Sequence, residues 1–164
     1  MSRRSLRVDL LRSLSSMELL PHRFRPVLLR WAGVTTGPRV HVLIGLQLSG
    51  HADVVLGEGV FVNVDCFIDA QADVTIGDHV SLGDHVRLIT STHQDGSSRK
   101  RAGALTGRPV SIGSGTWIGS GTTVLPGVNV GVGCVIAAGS MVTEDCERDS
   151  LYAGVPARLK RRLT

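Results

Sequence analysis

The sequence predicts an all-β chain wound as a triangular coil of very short parallel strands, and three observations carry that expectation. An aliphatic residue returns every six positions at Ile112, Ile118, Val124, Val130, Ile136 and Val142 without a miss. The same spacing runs earlier through Leu56, Val62 and Ile68, slips by two residues near Asp73, and resumes at Ile76, Leu82 and Leu88. Glycine follows the anchors at Gly45, Gly57, Gly77, Gly83, Gly113, Gly119 and Gly131, and stands third after them at Gly115, Gly121, Gly127, Gly133 and Gly139. An amphipathic helix repeats at three or four residues and a half-buried strand at two, so a strict six fits neither alone. It fits a stack of coils whose short faces are separated by glycine corners.

The elements follow in chain order. Residues 1–36 read as a helical cap, because leucines recur at helical spacing on both sides of Pro21. Residues 37–147 hold the hexads. Three hexads make one triangular turn of 18 residues that climbs about 4.8 Å, the spacing of paired strands, so the chain is expected to make about five coils. Each coil buries its anchors only against its neighbours, which is why the ends need covers. The slot four after an anchor holds Val54, Val60, Val80, Val86, Thr116, Thr122, Val128 and Ser140, an inward position for small side chains. Cys66, Cys134 and Cys146 occupy that same slot, which reads as core filler rather than a metal site or disulfide framework. The third slot in the earlier half holds Asp53, Asp65, His79 and His85, residue types that tolerate positive φ comparatively well. The repeated GDHV at 77–80 and 83–86 therefore reads as turn chemistry, and no metal is expected.

One stretch breaks the rhythm. After LITSTHQ the hexads stop, and they resume at GRPVSIG. If His93 ends the third face of one coil, residues 94 to about 111 form a loop excursion that returns at Ile112. Loops of that length in a small domain are usually functional. Residues 148–164, which include PARLKRRLT, read as a short basic helix or arm.

Composition sets further bounds. The chain has 164 residues, enough for one domain, and a formal charge of +4 with the basic residues at both ends and in the interrupted stretch. That suits an anionic ligand. With 4% aromatic residues and no reading motif, nucleic acid is not expected. No run of about 18 apolar residues is present, and MSRRSLRVDLLRS is too charged for a signal peptide, so a cytoplasmic protein without membrane insertion is expected.

The run VSIGSGTWIGSGTTVLPGVNVGVGCVIAAGSMVTED, followed by LYAGVPARLKRR and preceded by FVNVDCFIDA and LITSTHQ, resembles the hexapeptide-repeat acyltransferases. Within them it is most similar to the maltose and galactoside O-acetyltransferases, while LPHRFRPVLLRWAGVTTGPRV looks more like the enzymes of polysaccharide-modifying clusters. The resemblance covers roughly residues 56–160. It implies a left-handed parallel β-helix, a homotrimer, and transfer of an acetyl group from acetyl-CoA to the hydroxyl of a small acceptor, first of all a sugar. Handedness comes from the resemblance alone, since ordinary parallel crossovers are right-handed.

Site residues come with it. His93 stands where the family places its catalytic base, and the chemistry needs one, because a hydroxyl is a poor nucleophile until its proton is taken. Asn63 corresponds to an asparagine that contacts the acceptor or positions the reacting groups; read alone, it is one more corner residue. Ser120 corresponds to a serine whose backbone or hydroxyl helps hold the acyl carbonyl. Trp117 stands where a tryptophan lines the site, or else packs at a coil edge. Ala138 and Thr143 match positions along the coenzyme arm. Glu144 departs from the pattern, since sugar acetyltransferases often have lysine there. Either the glutamate points away or the coenzyme phosphates find cations among Arg148, Arg158, Lys160, Arg161 and Arg162, of which Arg158 and Lys160 are taken as first candidates. Antibiotic, amino-sugar and serine acceptors remain open, as does a non-catalytic assembly module. Counting faces puts Asn63 near the start of a second face and His93 at the end of a third, about 15–20 Å apart. Both can serve one reaction only if subunits bring two corners together.

Overall fold

The hexad arises because each face spends two to four residues as strand and the remainder as corner. The computed structural model describes residues 3–17 and 19–164, so Met1, Ser2 and Glu18 of the expected cap lie outside the described residues. The first face stacks Thr35–Thr36, Val54–Leu56, Val74–Ile76, Val110–Ile112 and Asn129–Val130. The second stacks His41–Val42, Phe61–Val62, Ser81–Leu82, Trp117–Ile118, Val135–Ile136 and Ser150–Gly154. The third stacks Gln47–Gly50, Phe67–Ala70, Arg87–Leu88, Thr123–Val124 and Met141–Val142. These ladders are parallel, and the fold is the left-handed β-helix that the resemblance implied.

The helix makes about six turns rather than five. A first turn begins at Thr35–Thr36, where no aliphatic anchor marks it. A last turn is closed by Cys146 bridging to Val130 and by Ser150–Gly154 pairing with Val135–Ile136. Nor do the lower turns take 18 residues: Phe61 stands over His41, and Ser81 over Phe61, a step of 20. Above the excursion Asn129 stands over Ser111, and Val135 over Trp117, a step of 18. The extra residues fall at one corner, between the third face and the first, around His51 and again around Gln71. The first of these slips is invisible in the aliphatic pattern because nothing regular precedes it.

The excursion leaves from that same corner, one turn higher. It is an antiparallel hairpin of Ser91–Asp95 and Ala102–Gly107 rather than an irregular loop over 94–111, and the chain rejoins the stack at Val110–Ile112. Its tip is closed by Gly96 N–H to the Arg101 carbonyl at 2.9 Å and Lys100 N–H to the Ser97 carbonyl at 2.9 Å. Both faces of this hairpin are largely open, so no burial alternation betrayed its strands.

The core is the axis of the coil. Every anchor from Leu56 to Val142 is buried, as are all the inward-slot residues named above. Thr116 satisfies its hydroxyl inside by donating to the Gly131 carbonyl at 2.8 Å and accepting from Cys134 N–H at 3.1 Å. The three cysteines are free and buried. Burial pushes the Cys66 thiol up to about 11 and the Cys146 thiol to about 12, and raises Cys134 as well. Because the thiolate is the reactive form, the native protein should consume no thiol reagent at neutral pH and all three equivalents after denaturation. Rapid labelling of the folded chain would contradict this packing.

The corners behave as expected with one exception. Asp65, His79 and His85 adopt φ of 54°, 56° and 56°, so the GDHV histidines serve successive corners. Asp53 does not. It lies beyond the first slip, where Gly50 takes the left-handed turn at φ 77°.

The cap consists of α1 (Arg3–Ser16) and α2 (Arg25–Trp31), with a single 3-10 turn at His22–Phe24 between them. Arg25, only 3% exposed, donates to the carbonyls of Ser15 at 2.6 Å, Met17 at 2.8 Å and Leu20 at 2.7 Å. It thus caps the carboxyl end of α1, where unpaired carbonyls and the helix dipole favour a cation. Arg12 Nη1 ties α1 to the Gly50 carbonyl at 2.6 Å. At the other end, Ser150–Gly154 and Ala157–Arg162 form an antiparallel hairpin that extends the second face. The tail is therefore an arm of strand, not a helix, and it pairs with an edge that would otherwise stay open. Among the described residues no helix is long and apolar enough to cross a membrane.

Candidate active site

The expected site residues fall at two corners of the coil. The corner between the third face and the first bears His93, inside the first hairpin strand and opposite Leu105. Its Nδ1 lies 3.0 Å from the Gly103 carbonyl oxygen. A carbonyl only accepts, so Nδ1 carries a proton, and in the neutral ring the lone pair falls on Nε2. The ring is exposed. Hydrogen-bonded at one nitrogen and open at the other, it has the arrangement of a general base. Two turns above this corner lie Thr143 and Glu144, both exposed. Arg158 Nη1 stands 3.5 Å from Glu144 Oε2, so the carboxylate that departs from the family pattern faces a cation of the tail hairpin. Both partners are more than half exposed, which makes the pair worth little to stability.

The corner between the second face and the third holds Asn63 and, in the turns above and one position further along the chain, a stack of Asp84, Ser120 and Ala138. Asn63 follows directly on the strand Phe61–Val62, and its Oδ1 accepts from Val64 N–H at 2.8 Å. The corner role is therefore real, and its side-chain amide group remains available as a donor. Ser120 Oγ donates to Asp84 Oδ1, and that bond is the main cause holding the Asp84 carboxyl below its usual range. Ala138 lies over Gly119 so closely that a Cβ there would come within 2.5 Å of the Ala138 nitrogen. This part of the corner is lined by backbone. Trp117 flanks it from the second face, between Ser81 and Val135, and is 58% exposed. It is not packed into a coil edge.

Within one chain the two groups do not meet. They lie at opposite ends of the third face, about 15–20 Å apart for a side of five or six residues, and no side chain spans that. Arg158 and Lys160 project from the tail hairpin, both exposed. Arg148 pairs with Asp149 at 2.9 Å and Arg162 with Glu147, whereas Lys160 and Arg161 have no acidic partner among the described residues.

Sequence reasoning missed Asp84 and Asp69. Asp84 was absorbed into the turn reading of GDHV, although the excursion plus one coil amounts to a step of 36, which sets Ser120 above it as Trp117 stands above Ser81. Asp69, 8% exposed, lies beneath the root of the hairpin and left no signal in the hexads.

Comparison with known proteins bears on this geometry. A family model described as the hexapeptide repeat of succinyl-transferase matches residues 109–144. The galactoside O-acetyltransferase of Escherichia coli K12 is 32% identical over 139 residues, covering 85% of this chain and 68% of that protein. A galactoside acetyltransferase in complex with coenzyme A superposes with a TM-score of 0.87 at 29% identity, covering 98% of this chain and 81% of that one. A hexapeptide-repeat-containing acetyltransferase of Vibrio cholerae O1 biovar eltor, complexed with acetyl-CoA, gives 0.86 at 27% identity, covering 98% and 87%. The chain spans 65% of the length of the curated Staphylococcus aureus relatives it matches.

Proposed function

The chain belongs to the hexapeptide-repeat acyltransferase family, and from that premise we propose that it transfers the acetyl group of acetyl-CoA to a hydroxyl of a sugar or saccharide. The observation that carries this reading is the His93 ring, with Nδ1 committed to the Gly103 carbonyl and Nε2 exposed. Nε2 takes the acceptor hydroxyl proton as the oxygen attacks the thioester carbonyl. The resulting imidazolium then returns the proton to the departing thiolate. Such a base contributes about 10²–10⁴ in rate.

The remaining roles are divided between the two corners. Asn63 presents its side-chain amide to the reacting groups. Ser120 holds the developing oxyanion through its main-chain N–H, because its hydroxyl proton is already given to Asp84. Ala138 and Thr143, small and exposed, leave room for the extended coenzyme arm, and Trp117 closes over it. Lys160 meets the phosphates, together with Arg158, whose charge is shared with Glu144. Since the two corners of one chain stand too far apart, the site forms between neighbouring subunits of a homotrimer. The free, buried thiols suit a reducing cytoplasm.

Thiol release from acetyl-CoA tests the reading, with galactosides, maltose, an amino sugar, serine, chloramphenicol and a streptogramin offered as acceptors. Release is expected with saccharide hydroxyls. Turnover only with an amine or an antibiotic would displace the sugar, and none with any acceptor would contradict the acetyl transfer. Ser120→Ala should lower kcat by less than about tenfold. A loss of about 10²–10³, the size expected for deleting an oxyanion donor, would assign that work to the hydroxyl instead.

A further inference from the structure

The hairpin that bears His93 leaves the coil where the main-chain ladder ends. Ile89 N–H still donates to the Val124 carbonyl at 3.0 Å in the turn above. One residue later the donors turn elsewhere: Ser91 N–H and Thr90 N–H both donate to Asp69 Oδ2, at 2.7 Å and 3.3 Å. The Thr90 hydroxyl donates to the Asp69 main-chain carbonyl at 2.7 Å and accepts from Ala72 N–H at 3.0 Å. The Thr90 carbonyl accepts from Arg108 N–H at 2.9 Å, which closes the hairpin at its base. Asp69 is itself held from below, where Ser49 Oγ donates to its Oδ1 at 3.1 Å. Thr90 is fully buried and Asp69 nearly so.

A buried backbone donor without a partner is costly, and at this point in the chain the ladder supplies none for two consecutive residues. One carboxylate oxygen serves both. The cross-strand register that follows, Ser91 with Gly107, Thr92 with Thr106 and His93 with Leu105, starts from that fixed point. We infer that Asp69 is the positioning residue of this hairpin: by accepting Thr90 and Ser91 it sets the direction in which the strand departs, and with it the place where His93 stands two residues on. The inference rests on the proposed role of His93 for its kinetic consequence, but not for its structural one. Burial alone would raise the Asp69 pKa, yet hydrogen bonds from Ser91, Ser49 and Thr90 outweigh it and hold the carboxyl below its usual range. Its acceptors are therefore in place at working pH.

The test uses the full chain with Asp69→Ala and Asp69→Asn. A misplacement of about 1 Å can cost about 10² in rate, so Asp69→Ala should lower kcat about 10–100-fold while the KM for acetyl-CoA stays within about threefold. Asp69→Asn should recover to within about threefold of the parent, because its amide oxygen can accept both N–H groups while its NH₂ turns to Ser49. Hydrogen exchange, read without any substrate, should show faster exchange over residues 91–107 in Asp69→Ala and unchanged protection at Trp117–Ile118 and Val135–Ile136. An unchanged kcat, an unchanged hairpin, exchange that rises equally through the coils, or an asparagine variant as impaired as the alanine would each overturn the inference. A hairpin loosened in Asp69→Ala, in a protein whose parent transfers no acetyl group, would support the clamp and overturn the proposed function. The two can fail separately.

Discussion

His93→Ala lowers kcat by about 10²–10⁴ and leaves both the melting temperature and the KM for acetyl-CoA near their parent values. The separation of effects follows from where the ring stands. It is exposed on a two-stranded excursion and gives the fold one hydrogen bond, to the Gly103 carbonyl, so truncation opens no cavity in the coil. The base itself is lost. His93→Asn sharpens the experiment: its amide can still donate toward the Gly103 carbonyl, but it has no basic nitrogen, so it should be as inactive as the alanine variant. Steady-state thiol release beside a circular-dichroism melt reads both quantities. An asparagine variant that retained most of its turnover would show that the ring orients the acceptor rather than taking its proton.

Ile118→Ala carries the largest expected loss of stability, about 2–5 kcal/mol. Ile118 has no solvent exposure and lies in the second face between Leu82 below and Ile136 above. Its removal leaves a void on the axis, where the turns above and below are fixed by their own ladders and cannot collapse into it. Val132→Ala is the control: that side chain is 48% exposed at a corner, and its loss should stay within about 0.5 kcal/mol. Denaturant titration at one fixed protein concentration measures both, since an associating chain has a stability that depends on concentration. Equal losses at the two positions would contradict a core confined to the axis.

Much of this was legible in the chain. The anchors and the small inward slot gave the axis of the coil, and every one of them is buried. His79 and His85 as corner residues followed from the same count, as their positive φ confirms. What escaped had physical reasons. The hairpin strands have no buried face, so nothing alternates. The turn at Gly50 to Ala52 has no regular hexad before it, which hid the first coil and its two extra residues. Asp69 occupies the slot after an anchor that glycine usually fills, so nothing in the hexads sets it apart. Only the longer third-face strand Phe67–Ala70 and the chain leaving above it turn that carboxylate inward. The tail read as helix or arm because its basic residues mask the pairing of Ser150–Gly154 with Ala157–Arg162.

The central claim is that one site is built from the His93 corner of one subunit and the Asn63 corner of the next. Mixing tests it most directly. His93→Ala and Asn63→Ala are each unfolded, combined in equal amounts and refolded, alongside each variant treated alone. In a symmetric ring of three, one interface in four pairs an intact His93 with an intact Asn63, so the mixture should recover about a quarter of the parent activity from two nearly inactive proteins. A mixture no more active than its separately refolded components would contradict a site shared between chains.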